Sequence, residues 1–280
     1  MSGFQPQSLY VAYRSGPAEA GHWGPVGMLE RIEGGWRFRY TQGARTLPGF
    51  HPFYEFPNLD GVYCSVGLFP LFANRLMNPR RPEYQSWLNA CGLDPAEPLD
   101  PVLILGITNG RRATDNVELF ARPQPDSEGC YANRFFVHGV RWMSSPADAA
   151  IAALRPGDPL AIMPDPMNPV DPDAVAVRPM EGEFETILIG YVPRYLAIDI
   201  ACLMQKCRDQ LRSLTVVRVN LDAPSQQRLL CELRTCWPSG FAPCHGDAYD
   251  PIVSDDELPK RAELASDLRG NVAETLLADQ

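Results

Sequence analysis

The chain has 280 residues, enough for two domains of ordinary size, and 45% of them are hydrophobic, so sizeable cores can form. Its apolar runs are too short to span a bilayer and no basic segment precedes one at the start, so we expect a cytoplasmic protein with neither a membrane span nor a signal peptide. The net charge of −9 disfavours nonspecific duplex binding, because such binding depends on neutralising many phosphates.

Short segments rich in aromatic and β-branched residues predict a small β-meander at the start of the chain. In one of them Trp36, Phe38 and Tyr40 alternate with arginines, which is the period of a half-buried strand. The predicted elements of this first block are strands at 8–13, 24–31 and 35–40, helices at 68–77 and 83–91, and strands at 102–108 and 117–120.

A polar linker at 123–129 marks the boundary with a second block. The elements predicted there are a strand at 134–143, a helix at 146–154, strands at 160–163, 174–177 and 187–194, a helix at 195–211 and a last strand at 215–219. The loop at 165–173 is rich in proline, Asn and Asp. Proline fixes φ, and Asn and Asp side chains bond nearby amides, so this loop is rigid and suited to a binding site.

The first block resembles the N-terminal subdomain of HipA-type toxin kinases over about residues 8–120. The segments that carry the resemblance are 9–13, 24–29 and 71–76, the last followed by Asn78 and Pro79. The resemblance implies an interaction subdomain at 8–122, without the kinase core of that family.

Four segments of the second block, in order, resemble the HIRAN domain. They are Gly-Val-Arg-Trp at 139–142, Leu-Arg-Pro-Gly-Asp-Pro-Leu at 154–160, the Asp/Pro-rich loop with Ala-Val at 165–175, and Ile-Gly-Tyr-Val-Pro-Arg at 189–194. The resemblance covers about 134–220 and implies a small OB-like β-barrel with flanking helices, so the chain is expected to be α+β. In the helicase-like transcription factor of eukaryotes, this domain binds the 3′ end of single-stranded DNA.

The HIRAN resemblance also implies a set of nucleic-acid-binding residues. They are Arg141, Trp142, Asn168, Asp171, Tyr191 and Arg194. Trp142 would stack on a base and Arg141 would hold a phosphate. Asn168 and Asp171 lie in the loop that receives the terminal nucleotide, where a carboxylate can accept a hydrogen bond from a 3′-OH and would repel a 3′-phosphate.

Structural interpretations of the same residues stay open. Asn168 and Asp171 can cap amides in a proline-rich turn, Trp142 can be half-buried core, and the arginines can be plain surface charges. Val170 stands where DNA-binding members of the family carry an aromatic residue, so one base platform is missing. The alternative function is therefore a non-catalytic protein-interaction adaptor whose HIRAN fold no longer binds DNA.

The cysteines suggest a second alternative. The chain has eight, with no CxxC pair, which favours reduced thiols over disulfides. Cys231, Cys236, Cys244 and His245 supply four soft ligands within fifteen residues, so a zinc site is an alternative, although the spacing is poor. The competing interpretation places Cys231 in a helix at 225–236 and the other ligands in a loop.

No phosphate loop, HExxH or GxSxG motif is present, so we expect no enzymatic activity. The last 60 residues, 221–280, are expected to form a partly mobile C-terminal extension in which Leu264 and Leu268 share one face of a short helix. The sequence predicts a nucleic-acid-binding protein without a cofactor. Its expected partners are single-stranded DNA or a DNA 3′ end, and a DNA-processing protein.

Overall fold

A computed structural model describes residues 4–16, 22–207 and 214–257. The predicted tail helix with Leu264 and Leu268 lies outside these residues, as does the end of the helix predicted at 195–211. The described chain is mixed α+β with antiparallel sheets, which confirms the predicted fold class.

The described residues form two compact units. The meander unit takes its residues from 7–77, 109–122 and 245–280, and the barrel unit from 1–6, 78–108 and 123–244.

In the meander unit, five described strands form one antiparallel sheet in the order β4-β3-β2-β1-β5. The strands are β1 (Ser8–Ser15), β2 (His22–Ile32), β3 (Gly35–Tyr40), β4 (Val62–Ser65) and β5 (Val117–Ala121). The first three are the strands of the predicted meander, and β4, which the sequence did not predict, pairs with β3. On β3 Phe38 is fully buried and stacks on Phe56 at a ring distance of 4.3 Å, so the alternating aromatic residues form the core of this unit.

Two short helices, α1 (Gly43–Thr46) and α2 (Pro70–Ala73), accompany this sheet. The helix predicted at 68–77 is therefore much shorter than expected. The side chain of Arg75 donates from Nε to the carbonyl of Leu71 at 3.1 Å, while its backbone N–H bonds Phe72 instead. That carbonyl is the one the next α-helical hydrogen bond would need, so the helix ends there.

A segment from the C-terminal part of the chain completes the meander unit. Pro251 pairs with Thr41 beyond the end of β3. Arg39 is only 1% exposed, and it donates to the carbonyl of Val253 at 2.9 Å and to Asp255 Oδ1 at 2.6 Å. A buried guanidinium needs such partners, so this segment is part of the unit's structure.

In the barrel unit, six described strands form an antiparallel sheet in the order β6-β11-β10-β7-β8-β9. The strands are β6 (Cys130–Phe136), β7 (Pro159–Pro164), β8 (Val175–Pro179), β9 (Gly190–Tyr191), β10 (Leu214–Val219) and β11 (Leu229–Cys236). The sheet curls into a half-barrel because its two edges meet. His138, just after β6, exchanges backbone hydrogen bonds of 2.8 and 2.9 Å with Tyr191 on β9.

Helices flank the half-barrel, as predicted for an OB-like fold. They are α3 (Tyr84–Ala90), α4 (Pro101–Thr108), α5 (Pro146–Ala153) and α6 (Arg194–Lys206). On α6 the spacing of Leu196, Ile200 and Leu203 places these fully buried side chains on one face, so the predicted apolar stripe is confirmed.

Two segments have the opposite secondary structure from the one predicted. Residues 102–108, predicted as a strand, lie in α4, because a helix buried on several sides shows the same apolar run as a buried strand. Residues 225–236, predicted as a helix, contain β11 instead. Cys231, Leu233 and Thr235 are buried there and alternate with more exposed residues, which is the period of a strand.

Two further predicted strands are shorter than expected. The strand predicted at 134–143 ends at Phe136, because Gly139 at a φ of 73° turns the chain into a 3₁₀ turn at Val140–Trp142. Of the strand predicted at 187–194, the structure keeps the two residues of β9, while Ile189 and Val192 on either side also donate backbone hydrogen bonds to β8 at 2.9 Å.

The units divide the chain differently from the predicted domains at 8–122, 134–220 and 221–280. Residues 78–108 belong to the barrel unit, where Gly92 packs against Val217 and Leu230. Residues 221–244 belong there too, because β11 pairs with both β6 and β10. In the described ranges, no helix combines the length and apolar character that crossing a membrane requires.

Candidate nucleic-acid interface

The loop between β7 and β8 lies at one end of the half-barrel and is held by its own side chains. The backbone N–H of Asp165 donates to the carbonyl of Ala174 at 2.8 Å and closes the base of the loop. Asn168 Oδ1 accepts from the N–H groups of Val170 and Asp171, at 3.0 and 3.2 Å. Asn168 therefore caps amides, as the structural interpretation proposes, and the loop presents its polar atoms in a fixed arrangement.

Arg194 joins this loop to the first turn of α6. Its Nε donates to Asp171 Oδ2 at 2.7 Å and its Nη2 donates to the carbonyl of Val170 at 3.1 Å. Asp171 Oδ1 also accepts from the N–H of Asp173 at 3.1 Å. Both side chains of the ion pair are partly exposed, so the pair lies at the surface where a ligand can reach it.

A second set of side chains converges on Asp165. Its Oδ2 accepts from the Tyr191 hydroxyl at 3.0 Å and from Asn168 Nδ2 at 3.4 Å. Burial raises the pKa of Tyr191, and the hydrogen bond to Asp165 and its negative charge raise it further. Sequence reasoning did not select Asp165. The available signal was its place at the start of the proline-rich loop.

Two glycines bring the Tyr191 ring into this position. Gly190 has a φ of 150°, and a Cβ there would lie 2.5 Å from the carbonyl oxygen of His138. Gly139 has a φ of 73°, and a Cβ there would lie 3.2 Å from Tyr191 Cδ2. The backbones of β9 and of the 3₁₀ turn at Val140–Trp142 can therefore approach closely only with glycine at these points.

Arg141 and Trp142 lie in that 3₁₀ turn and stack on each other. The Arg141 Cζ atom lies 4.5 Å from the centre of the Trp142 ring, a cation–π contact. Trp142 is 68% exposed, so its interpretation as half-buried core is wrong. The arginine covers part of the ring, and the exposed remainder can stack on another planar group.

The tip of the loop is apolar and carries no aromatic ring. Met167 is 87% and Val170 is 73% exposed. The loop therefore combines an apolar tip with carboxylates and amides beneath it. The charges of Arg141 and Arg194 are opposed by the three carboxylates of the loop, Asp165, Asp171 and Asp173, so this surface differs from the basic patches that bind duplex DNA.

The structure does not bring the candidate zinc ligands together. Cys231 lies in the core of the barrel unit, and burial raises the pKa of its thiol, which disfavours the thiolate that zinc requires. The backbone N–H of Cys244 donates to both carboxylate oxygens of the buried Asp199, at 3.1 Å each. Among the residues that the structure describes, no group of three or more His, Cys, Asp or Glu side chains is placed to hold a metal ion.

Residues 131–234 match the family model of the HIRAN domain. This segment is similar to the HIRAN domain. It spans all six strands of the half-barrel apart from the ends of β6 and β11, and so extends beyond the predicted range of 134–220. HIRAN domains occur in nucleic-acid-binding proteins, so the match indicates nucleic-acid binding in general terms.

Two solved structures are similar to this chain. A crystal structure of a protein from Lactobacillus plantarum is 23% identical and covers 38% of this chain and 97% of its own length, with a TM-score of 0.28. The crystal structure of the HIRAN domain of human HLTF is 17% identical and covers 51% of this chain and 93% of its own, with a TM-score of 0.26. No curated protein matches the chain. The HipA-like interpretation of residues 8–122 stays a prediction.

Proposed function

We propose that the HIRAN domain of this protein binds the 3′ end of single-stranded DNA. The observation that supports this most is the clamp of Arg194 on Asp171 and on the Val170 carbonyl. It places a cation, a carboxylate and a rigid polar loop side by side at the surface. These are the groups that a terminal nucleotide, with one hydroxyl and one phosphate, would need.

The clamp leaves capacity for a ligand. Each oxygen of the Asp171 carboxylate can accept more than one hydrogen bond, so a 3′-OH can be added to the contacts already made. The guanidinium of Arg194 has five N–H donors, so a phosphate oxygen of the strand can bind it beside Asp171. Nearby Asp165 adds a second negative charge, which disfavours a phosphate at the terminal position.

Trp142 provides the stacking surface. Its ring is largely exposed, and it lies in the 3₁₀ turn that follows Gly139, the residue packed against Tyr191. Stacking of a base on such a ring is worth about 1–3 kcal/mol and does not depend strongly on base identity. Its neighbour Arg141 would hold a backbone phosphate while covering part of the ring.

The competing function is that of a protein-interaction adaptor. The exposed apolar side chains of Met167 and Val170 favour it, as does the net charge of −9. In this case the meander unit would act as a HipA-like interaction subdomain. A DNA-processing protein would be the partner under either function.

The test is fluorescence anisotropy of the full chain with a labelled single-stranded oligonucleotide that ends in either a 3′-OH or a 3′-phosphate. We expect the wild type to bind the hydroxyl end at least about tenfold more tightly, because one hydrogen bond to a charged group is worth about 1.5–3 kcal/mol. Asp171→Asn should reduce this preference, because it removes the negative charge beside the 3′ position. Asp173→Asn is the matched control, since it removes the same charge from the same loop, and it should keep the preference.

Two results would contradict the proposal. If the wild type bound the 3′-OH and the 3′-phosphate oligonucleotides equally well, the protein would bind single strands without recognising their ends. No binding at low salt would favour the adaptor function.

A further inference from the structure

A groove of about 600 Å³ lies on the barrel unit beside the proposed end-binding loop. It runs along β7 and β8 and is walled on one side by residues 185–188. Within it Met163 pairs with Ala176 across the two strands, and the small side chain of Ala176 leaves space at its floor.

The walls of the groove are apolar and adaptable. Met163 and Met180 both line it and are 45% and 49% exposed, and Leu188 adds a further apolar surface. Thioether side chains adjust to the shape of a bound group and make favourable contacts with aromatic rings. A planar aromatic ligand therefore fits these walls.

One cation in the groove is held in a fixed orientation. The Nη1 atom of Arg178 donates to the carbonyl of Pro179 at 3.1 Å and to that of Glu185 at 2.6 Å. A guanidinium fixed at one edge presents its plane for stacking at little entropic cost. Arginine planes are one of the surfaces on which unstacked bases of single-stranded nucleic acids bind.

The charges in the groove select an uncharged group. Two acidic residues, Asp165 and Glu185, line the groove beside the basic Arg178. A phosphate would be repelled here, whereas the amino groups of a base can donate to carboxylates. Asp165 also accepts the hydrogen bond from Tyr191, so this residue belongs both to the groove and to the proposed end-binding site.

We propose that this groove is a second subsite, which binds an internal nucleobase of a DNA strand whose 3′ end lies at the loop with Asp171. The proposal rests on the function proposed above. The groove would also provide a stacking surface for a base, which the side chain of Val170 cannot do because it has no aromatic ring. The backbone phosphates of that strand would stay outside the groove, towards solvent.

The experiment compares intact hexanucleotides having a 3′-OH with hexanucleotides that lack the base at one internal position, moved stepwise from the 3′ end. For the wild type, we expect loss of one internal base to weaken binding by about five- to a hundredfold, the range of one stacking contact. In Met163→Glu, loss of that same base should have no effect. Leu221→Glu is the control, because it adds the same charge at an exposed site of the same unit that does not line the groove.

The outcomes separate the two proposals. If intact hexanucleotides bind and no internal base matters, or if Met163→Glu retains the base effect like Leu221→Glu, the groove proposal is overturned while end binding stands. If no hexanucleotide binds the wild type at low salt, both proposals are overturned. Matching thermal melting curves of the two variants are required, so that misfolding does not imitate the expected loss.

Discussion

At the scale of single residues, Asp165 contacts two of the residues selected from the sequence, although it was not itself selected. One of its carboxylate oxygens accepts hydrogen bonds from both Tyr191 and Asn168. The HIRAN resemblance had already selected Tyr191 and Asn168 from the sequence. Asp165 could not be ranked from sequence, because its importance depends on β9 returning to lie beside the loop, a contact between distant parts of the chain.

Replacing Asp165 tests this arrangement directly. In Asp165→Asn the carboxylate charge disappears, while the amide oxygen can still accept a hydrogen bond. We expect the pKa of Tyr191 to fall, because forming the phenolate no longer brings two negative charges together. The pKa is measured by NMR titration of protein with ¹³C-labelled tyrosine, with the Tyr191→Phe spectrum identifying the signal.

Asp173→Asn serves as the comparison in this titration, since it removes a loop charge that the Tyr191 hydroxyl does not contact. The Tyr191 pKa should be the same in that variant as in the wild type. An unchanged pKa in Asp165→Asn would show that burial alone raises it.

At the scale of elements, the sequence predicted several strands and helices from their periodicity, and its errors at α4 and β11 have different causes. The alternating residues of β3 and the apolar stripe of α6 were both recognisable. The apolar run of α4 was not recognisable as a helix, because burial on several sides removes the period that distinguishes a helix from a strand. In β11 the alternation was present, yet the sequence around Cys231 was interpreted as helical.

The contact between the edges of the half-barrel gives a second prediction. Gly190→Ala would place a methyl group 2.5 Å from the His138 carbonyl oxygen and from Val137 Cγ1, at a φ of 150°. Backbone strain costs about 1–3 kcal/mol, and overpacking adds about 1–3 kcal/mol more. We therefore expect a loss of about 2–6 kcal/mol in the free energy of unfolding, measured by urea denaturation.

Gly182→Ala separates strain from crowding. Gly182 also has a positive φ, 93°, but a Cβ there would meet no atom within 4 Å. Its substitution should therefore cost only the backbone strain. Equal losses in the two variants would show that the close approach of β9 to His138 does not restrict the residue at position 190.

At the scale of the whole molecule, buried tyrosines and cysteines make the folded protein less stable at alkaline pH. Burial raises the pKa of Tyr40 and Tyr131 above the usual value of 10.0, and raises the pKa of Cys91 from 9.0 to about 12. In the unfolded chain these groups lose their protons near their usual values, while the folded chain retains them. The stability they contribute is therefore complete below pH 9 and falls as the pH rises towards 12.

We expect the melting temperature to decline steadily between pH 9 and pH 12, as recorded by circular dichroism. Cys91→Ala should make this decline less steep, because one group with a raised pKa has been removed. Cys64→Ala is the comparison, since it removes a thiol that is less buried than that of Cys91. A slope that is the same in all three proteins would exclude Cys91 as a source of the alkaline sensitivity.

The course of the chain through its two units restricts how the gene can be shortened. The long stretch 123–244 of the barrel unit is inserted, in sequence order, between parts of the meander unit. A polypeptide stopped at residue 244 would keep the HIRAN match but lose both Val253 and Asp255, and with them two hydrogen-bond acceptors of the Arg39 guanidinium. A stop codon that spares every residue matched by the HIRAN family model would thus weaken the sheet at the start of the protein, a lesion that a linear map of domains would not reveal.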